Sequence, residues 1–291
     1  IAGTVNLITR KQVDHNSEVY AGTYYETAGT YNTTFGGGVR AGAHSLRVDA
    51  FRNFFAGWNP GNGPSFFQNA PRLADTGRWM LWKPREQYQA AIQYVYSRGK
   101  TSLNYKSNNF YEVITNRGMP MSPYREMAFD NRFLTTRLDN ALYLNQEMPK
   151  GAHVNAFVAY NAYKRIKEDI ANDLTTLTET KDPALQDTSK YSEVNSRATY
   201  ATANNVGKLD YEAGYDVNVQ YANSTQITDR EQRMANYAVF GSAEYRPYNR
   251  LTLRPGLRLA YNTRYSAPVV PSLHVMYKPG NFTLRSSWAR G

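Results

Sequence analysis

Strict alternation of apolar and polar side chains is the feature that most constrains how this chain folds. From Leu209 to Tyr221 every odd-numbered side chain is apolar or aromatic, and every even-numbered position is polar or glycine. Because successive side chains of a β-strand point to opposite faces, the segment predicts a strand with one wholly apolar face. Soluble β-sandwiches also contain such strands, so repetition and connection lengths must decide between the two architectures.

The alternation recurs along most of the chain and predicts an all-β fold of about thirteen strands. The clear repeats are Tyr88–Tyr96, His153–Tyr160, Tyr237–Arg246, Leu251–Asn262 and Pro271–Lys278, and Glu18–Tyr25 and Leu46–Phe54 fit less cleanly. No run of about 18 apolar residues occurs, which excludes a transmembrane helix. A transmembrane β-barrel is not excluded, because its alternating strands are hydrophilic on average. The absence of cysteine excludes a disulfide scaffold and thiolate metal sites.

Connections between these segments alternate in length. Short ones rich in Gly, Pro and Asn lie near 40–44, 97–100, 149–151, 204–208, 246–250 and 278–281. The intervening connections 57–85, 115–131, 166–190 and 223–233 are long, and two others, near 27–29 and 264–269, are short. Many of the 24 tyrosines fall toward the ends of apolar strand faces, where a membrane–water boundary would lie. These features predict an antiparallel, up-and-down transmembrane β-barrel with periplasmic turns and extracellular loops. Since single-chain bacterial barrels have an even strand number, an odd count predicts an incomplete barrel.

Four segments resemble TonB-dependent outer-membrane receptors, in the correct order. Residues 3–11, GTVNLITRK, resemble the end of that family's plug domain. Residues 237–258 resemble its mid-barrel hairpin, 271–279 the following strand and turn, and 284–291 the approach to its Arg-Gly-Phe-Arg-Ala-Pro box. The resemblance implies that residues 1–13 end a plug domain and that 14–291 form the first half to two-thirds of the barrel.

The resemblance also implies a function, namely active uptake of a scarce ligand. A ferric siderophore ranks first, cobalamin or haem next and a glycan last. Family members lie in the lipid of the bacterial outer membrane and bind the ligand at the extracellular mouth. TonB then pulls on an N-terminal segment. About thirteen of the family's usual twenty-two strands are expected here, so this interval alone is not expected to transport.

Two long connections carry the candidate ligand-binding residues. Their aromatic rings supply stacking surface, while Arg and Lys attract carboxylate, catecholate or phosphate groups. A self-contained hydrophobic cluster or membrane-boundary tryptophans would explain the same composition. The candidates are Trp58, Arg72, Arg78, Trp79, Trp82 and Lys83 in 57–85, and Arg117, Tyr124 and Arg125 in 115–131.

Charged residues on the polar strand faces form a second candidate set. If the face assignment is right, Glu244, Arg254, Arg258 and Arg285 point into the barrel lumen. They would form salt bridges to a plug, or alternatively line a ligand track. The glycines at 36–38 predict a barrel kink or a place where the plug packs closely.

No enzyme is expected, because phosphate-binding, dinucleotide-binding and nucleophile-elbow motifs are all absent. The sequence calls for neither a cofactor nor a metal ion. The net charge of +10 comes from singly scattered basic residues, so nucleic acid is not an expected partner. A passive porin-type barrel and a soluble β-rich binding module remain the alternatives.

Overall fold

The alternating segments pair with their sequence neighbours in one antiparallel sheet. The computed structural model describes residues 13, 15–59, 78–202 and 207–290, so the predicted plug end lies outside the described residues except for Val13. Two 3₁₀ turns, Pro149–Gly151 and Pro183–Leu185, interrupt the strands. The described strands are β1 Ser17–Glu26, β2 Thr30–Ala41, β3 His44–Phe55, β4 Arg85–Arg98, β5 Thr101–Asn116, β6 Met127–Glu147, β7 His153–Asp173, β8 Thr178–Thr180, β9 Asp187–Ala201, β10 Leu209–Asn223, β11 Glu231–Tyr248, β12 Leu251–Asn262, β13 Val270–Tyr277 and β14 Leu284–Ala289.

The sheet is an up-and-down meander. Within the described ranges, thirteen strands follow one another in sequence order, and the three-residue β8 lies off this path, paired only with β7. Over the same ranges β1 pairs with β2 alone and β14 with β13 alone, so the sheet stays open. The predicted antiparallel, incomplete barrel is therefore confirmed. None of the described residues belongs to a helix long and apolar enough to cross a membrane.

Backbone pairing collects the apolar sides of successive strands on one surface, called here the apolar face. Val217 lies opposite Tyr237, and Tyr237 lies opposite Tyr261. Val239 on this face is 55% exposed and Val19 is 76% exposed, so the described chain leaves the surface uncovered. A soluble domain rarely exposes an apolar surface of this extent, so the face needs apolar surroundings. The opposite surface is the polar face.

Connection lengths sort to the two ends of the sheet as predicted. One end, the turn end, has two-residue turns such as 42–43 and 99–100, where Gly42 and Gly99 adopt φ of +57°. A left-handed conformation of this kind is costly for a residue with a Cβ atom. The other end, the loop end, has the long connections 56–84, 117–126 and 174–186. The three longest connections therefore converge at one rim, which also carries the short connection 27–29.

Two predicted loops are wrong at their boundaries. The sequence predicts loops over 115–131 and 166–190. However, β6 and β7 each have 21 residues, so β6 begins inside the first segment and β7 ends inside the second. Asn131 pairs with Asp169 in the ladder, beyond the part where apolar residues alternate. Backbone hydrogen bonds continue where side chains on both faces are polar, so alternation alone ends the strands too early.

Candidate functional site

Two tryptophans close the base of the connection between β3 and β4. The backbone N–H groups of Trp58 and Trp82 donate to each other's carbonyl oxygens at 2.9 Å. Their ring centroids lie 4.9 Å apart, and Trp82 is 58% exposed. Two of the predicted ligand-binding residues are thus brought together, with aromatic surface facing outward. Predicted residue Arg72 lies outside the described residues.

Trp79 and Lys83, which flank this part of the connection in the sequence, form a cation–aromatic pair. The Lys83 ammonium lies 4.9 Å from the centroid of the Trp79 ring and donates a hydrogen bond to the carbonyl oxygen of Met80. Partial burial lowers the pKa of Lys83 from its ordinary value, because removing water disfavours the charged form. The two side chains form a local unit, as cation–π pairs do.

Arg78 connects this segment to the start of β6. Its Nη2 lies 2.6 Å from Oδ2 of Asp130, and only 9% and 12% of the two side chains are exposed. The other oxygen of Asp130 accepts the backbone N–H of Gly118 at 2.9 Å. Among the described residues, the buried Arg78 Nε has no hydrogen-bond partner. Arg78 therefore acts first as a link between segments distant in sequence.

The connection 117–126 contributes exposed groups beside it. The N–H of Thr115 donates to the carbonyl of Pro84 at 3.1 Å, which places the end of β5 against the Lys83 segment. Tyr124 is 82% exposed, and Arg117 and Arg125 are exposed as well. The predicted residues of both connections thus share the loop end. They are called here the loop-end cluster, comprising Trp58, Arg78, Trp79, Trp82, Lys83, Arg117, Tyr124 and Arg125.

The four predicted lumen-facing residues lie on the polar face of their strands. Arg254 binds Glu212 and Arg258 binds Asp216, each at 3.3 Å and each across the intervening strand β11. Glu244 accepts a 2.6 Å ion pair from Arg246, which also binds Asp210 at 2.9 Å. Arg285 on β14 lies opposite Met276. Arg254 and Arg258 therefore form cross-strand ion pairs, whereas the partner of Glu244 lies on its own strand β11.

A charged cluster on β1 and β3 was not predicted from the sequence. Arg47 lies 2.9 Å from Glu18 and 3.0 Å from Asp49, and its guanidinium lies 5.3 Å from the Tyr20 ring centroid. Alternation does place all four on the polar face, but the β1–β2–β3 register is needed to bring them together.

Gly38 is a site of close approach beside this cluster. Val13 is fully buried, and its N–H donates to Oγ of Ser45 at 3.3 Å. A Cβ atom on Gly38 would lie 2.5 Å from Cγ2 of Val13, closer than packing allows. Glycine at position 38 thus leaves the space that Val13 occupies against β2. Within the described ranges, no three His, Asp or Glu side chains cluster in a way that could hold a metal ion.

Comparison with known proteins rests on fold alone. No family model matches the sequence, and no curated protein matches it. Solved structures do match. The siderophore receptor PirA of Acinetobacter baumannii aligns over 97% of this chain and 44% of its own, at TM-score 0.59 and 9% identity.

Two further solved structures agree. A variant of the Pseudomonas aeruginosa ferric enterobactin receptor PfeA, in complex with enterobactin, aligns over 96% of this chain and 45% of its own, with TM-score 0.57 and 13% identity. The copper transporter OprC aligns over 96% of this chain and 45% of its own, with TM-score 0.53 and 14% identity. This chain therefore has the fold of siderophore-receptor barrels, which confirms the predicted resemblance for the fold. It spans slightly under half the length of these proteins.

Proposed function

We propose that this chain is part of a TonB-dependent outer-membrane receptor that takes up a ferric siderophore or a similarly bulky anionic complex. The observation that carries the proposal is the siderophore-receptor fold extending over nearly the whole chain. The uncovered apolar face supports it independently, because a receptor barrel in lipid requires such a surface.

The two faces support a membrane location. Apolar side chains pointing to one side of every main strand suit contact with acyl chains, and the ion-paired polar face suits a water-filled or plugged interior. In this placement the turn end is periplasmic and the loop end is extracellular. Neither a passive porin nor a soluble module accounts for the resemblance of residues 3–11 to the end of a plug domain.

The loop-end cluster is the proposed ligand contact. Arg117 and Arg125 supply exposed guanidinium groups, and Trp82 supplies an exposed ring near its stacked partner Trp58. Siderophores present carboxylate, catecholate or hydroxamate oxygens, which guanidinium groups bind well. Arg78 has a different task in this proposal. Its buried link to Asp130 positions the two connections relative to each other.

The plug and the energy source belong to the parent protein. Residues 1–13 would complete the plug, with Val13 packed on Gly38 as its point of departure into the barrel. Glu244, Arg254, Arg258 and Arg285 would face that plug. Since the chain covers under half of the matched receptors, TonB-driven transport requires the rest of the parent protein.

Uptake of radiolabelled iron complexes tests the proposal. The parent receptor would be expressed in a strain lacking its own siderophore receptors, with and without an uncoupler of the proton-motive force. Energy-dependent uptake that falls in the Arg117→Gln, Arg125→Gln double variant is expected. Arg250→Gln, an exposed arginine at the turn end, is the matched control.

Two results would contradict the proposal. Uptake insensitive to the uncoupler, together with steady open conductance in a planar bilayer, would indicate a passive porin. Full solubility of the chain without detergent would indicate a soluble binding module.

A further inference from the structure

One part of the apolar face carries unpaired positive charge. The ladder places Lys164 of β7 directly opposite Lys190 of β9, and both side chains are exposed. Side chains opposite each other in such a ladder have Cβ atoms about 4.5–5.5 Å apart, and like charges there are destabilising. A bound anion would relieve this repulsion.

Within the described ranges, the two lysines have no carboxylate directly beside them in the ladder. Their immediate neighbours in the row, Thr136 and Asn223, are uncharged, and the carboxylate of Glu231 lies on β11, two strands from Lys190. Farther along β7 on the same face, Glu168 is bound to Lys181 at 2.7 Å and to Arg132 at 3.5 Å. The two ammonium groups are therefore available to an anion from outside these residues.

The lysine pair borders a trough in the apolar face. One row toward the turn end, the ladder places Ala162 opposite Ser192, and Ser192 opposite Tyr221. These small residues, Tyr160 one row farther on, and both lysines are among the residues that line a cavity of about 1000 Å³, which extends from β2 to β10 and also touches intervening residues such as Phe110 and Tyr163. Because alanine and serine are short, the apolar face is low between the longer tyrosine and lysine side chains.

The position along the strand is equally informative. From Val154 at the turn end to Ala162, the β7 side chains on the apolar face are all apolar or aromatic, and Lys164 is the first charged one. Ten residues at a rise of about 3.3 Å, tilted by about 40°, span about 25 Å, the height of an apolar band in an outer-membrane barrel. The lysine pair therefore lies at the band's outer edge, on the side of the long loops.

We infer that Lys164 and Lys190 bind the phosphate of a membrane lipid whose acyl chain lies in the trough over Ala162 and Ser192. Two ammonium groups match a phosphate in charge, and a trough of short apolar side chains matches a hydrocarbon chain. A transported ligand would travel along the opposite, polar face and would not meet this pair. The inference rests on the membrane location proposed above and adds to it a defined lipid site.

Lipid retention by the purified parent receptor tests the inference. Native mass spectrometry from mild detergent would follow three added probes, namely a phosphorylated outer-leaflet lipid, the same lipid without phosphate, and inorganic phosphate. The Lys164→Gln, Lys190→Gln double variant removes both charges. The Lys100→Gln, Lys150→Gln double variant removes two exposed lysines at the turn end and is the matched control.

Wild type and control are expected to retain the phosphorylated lipid and to gain Tm from it. The Lys164→Gln, Lys190→Gln variant is expected to bind it at least about tenfold more weakly, since a hydrogen bond to a charged group contributes about that factor. Ala162→Trp, which fills the trough but keeps both lysines, is expected to lose the lipid and still bind no inorganic phosphate detectably.

Three outcomes would overturn the inference. They are equal retention by the two double variants, equal binding of the lipid without phosphate, and full competition by inorganic phosphate. Failure here is distinguishable from failure of the proposed function, because membrane insertion and energy-dependent uptake are measured separately. A receptor that inserts and transports, yet retains the lipid equally in both double variants, refutes only the lipid site.

Discussion

Removal of the Asp130 carboxylate should loosen the loop end while leaving the rest of the sheet intact. Asp130→Ala leaves the Arg78 guanidinium without its 2.6 Å partner and the Gly118 N–H without its acceptor. Arg78 belongs to the connection 56–84 and Gly118 to the connection 117–126, and Asp130 near the start of β6 binds both. The substitution therefore acts on the contact that holds the two connections together.

Burial determines the magnitude. With side-chain exposures of 9% and 12%, the unpaired guanidinium gains little hydration, and breaking such a pair costs about 3–5 kcal/mol. The exposed pair Arg52–Glu86 has a similar 2.7 Å distance but exposures of 44% and 33%. Glu86→Ala should therefore cost about 1 kcal/mol or less. The contrast between the two variants separates the effect of burial from the effect of distance.

Hydrogen exchange of backbone amides in 78–84 and 115–130 is the measurement. A loss of about 3 kcal/mol in local opening free energy accelerates exchange about 100-fold. In the double variant Arg78→Met, Asp130→Asn, the unpaired charge is gone and an acceptor for Gly118 remains, so much of the protection should return. Unchanged exchange in Asp130→Ala, or equal acceleration in the double variant, would refute the reasoning.

Three further predictions concern the faces, the close approach and the outer turn. Ile92→Arg on the apolar face should lower the free energy of unfolding in bilayers by about 2–4 kcal/mol. Gln93→Arg, the neighbouring substitution on the polar face, should change this free energy little. Equal effects of the two substitutions would contradict the face assignment. Gly38→Val should reduce the Tm of the parent receptor, because a Cβ atom there clashes with Val13; an unchanged Tm would refute that contact. Hydrogen bonds from two backbone amides lower the pKa of Asp173 from 3.8, so its carboxylate stabilises the turn after β7 above that pH. This stabilisation should disappear as the pH falls through the lower folded pKa, seen as faster exchange of the two amides, and Asp173→Asn should abolish the pH dependence.

Local patterns predict much of this fold, because each depends on residues that lie close in sequence. The alternation in 209–221 assigns every side chain of β10 to its observed face. Glycine at 42 and 99 marks two turns correctly, and the sorting of connections to two ends follows from their lengths. Strand ends were predicted less well, since backbone pairing in β6 and β7 continues through polar residues that carry no alternation.

The candidate site shows where local patterns stop being informative. Sequence composition selects Arg78 as a cation for ligand binding, yet the fold places it against Asp130, 52 residues away, and buries it. The residues adjacent to Arg78 in the sequence do not distinguish it from an exposed arginine. Only the contact between two connections distinguishes a positioning role from a binding role.

The sequence by itself determined which side chains share a face, since a strand's two-residue period is a local property. It also determined that neighbouring strands pair antiparallel through connections at alternate ends. Tertiary structure alone decided which residues lie opposite one another, as with Lys164 and Lys190 or Arg254 and Glu212. The physical reason is register. A shift of a strand along its neighbour, set by the connection and the whole ladder, changes every cross-strand partner.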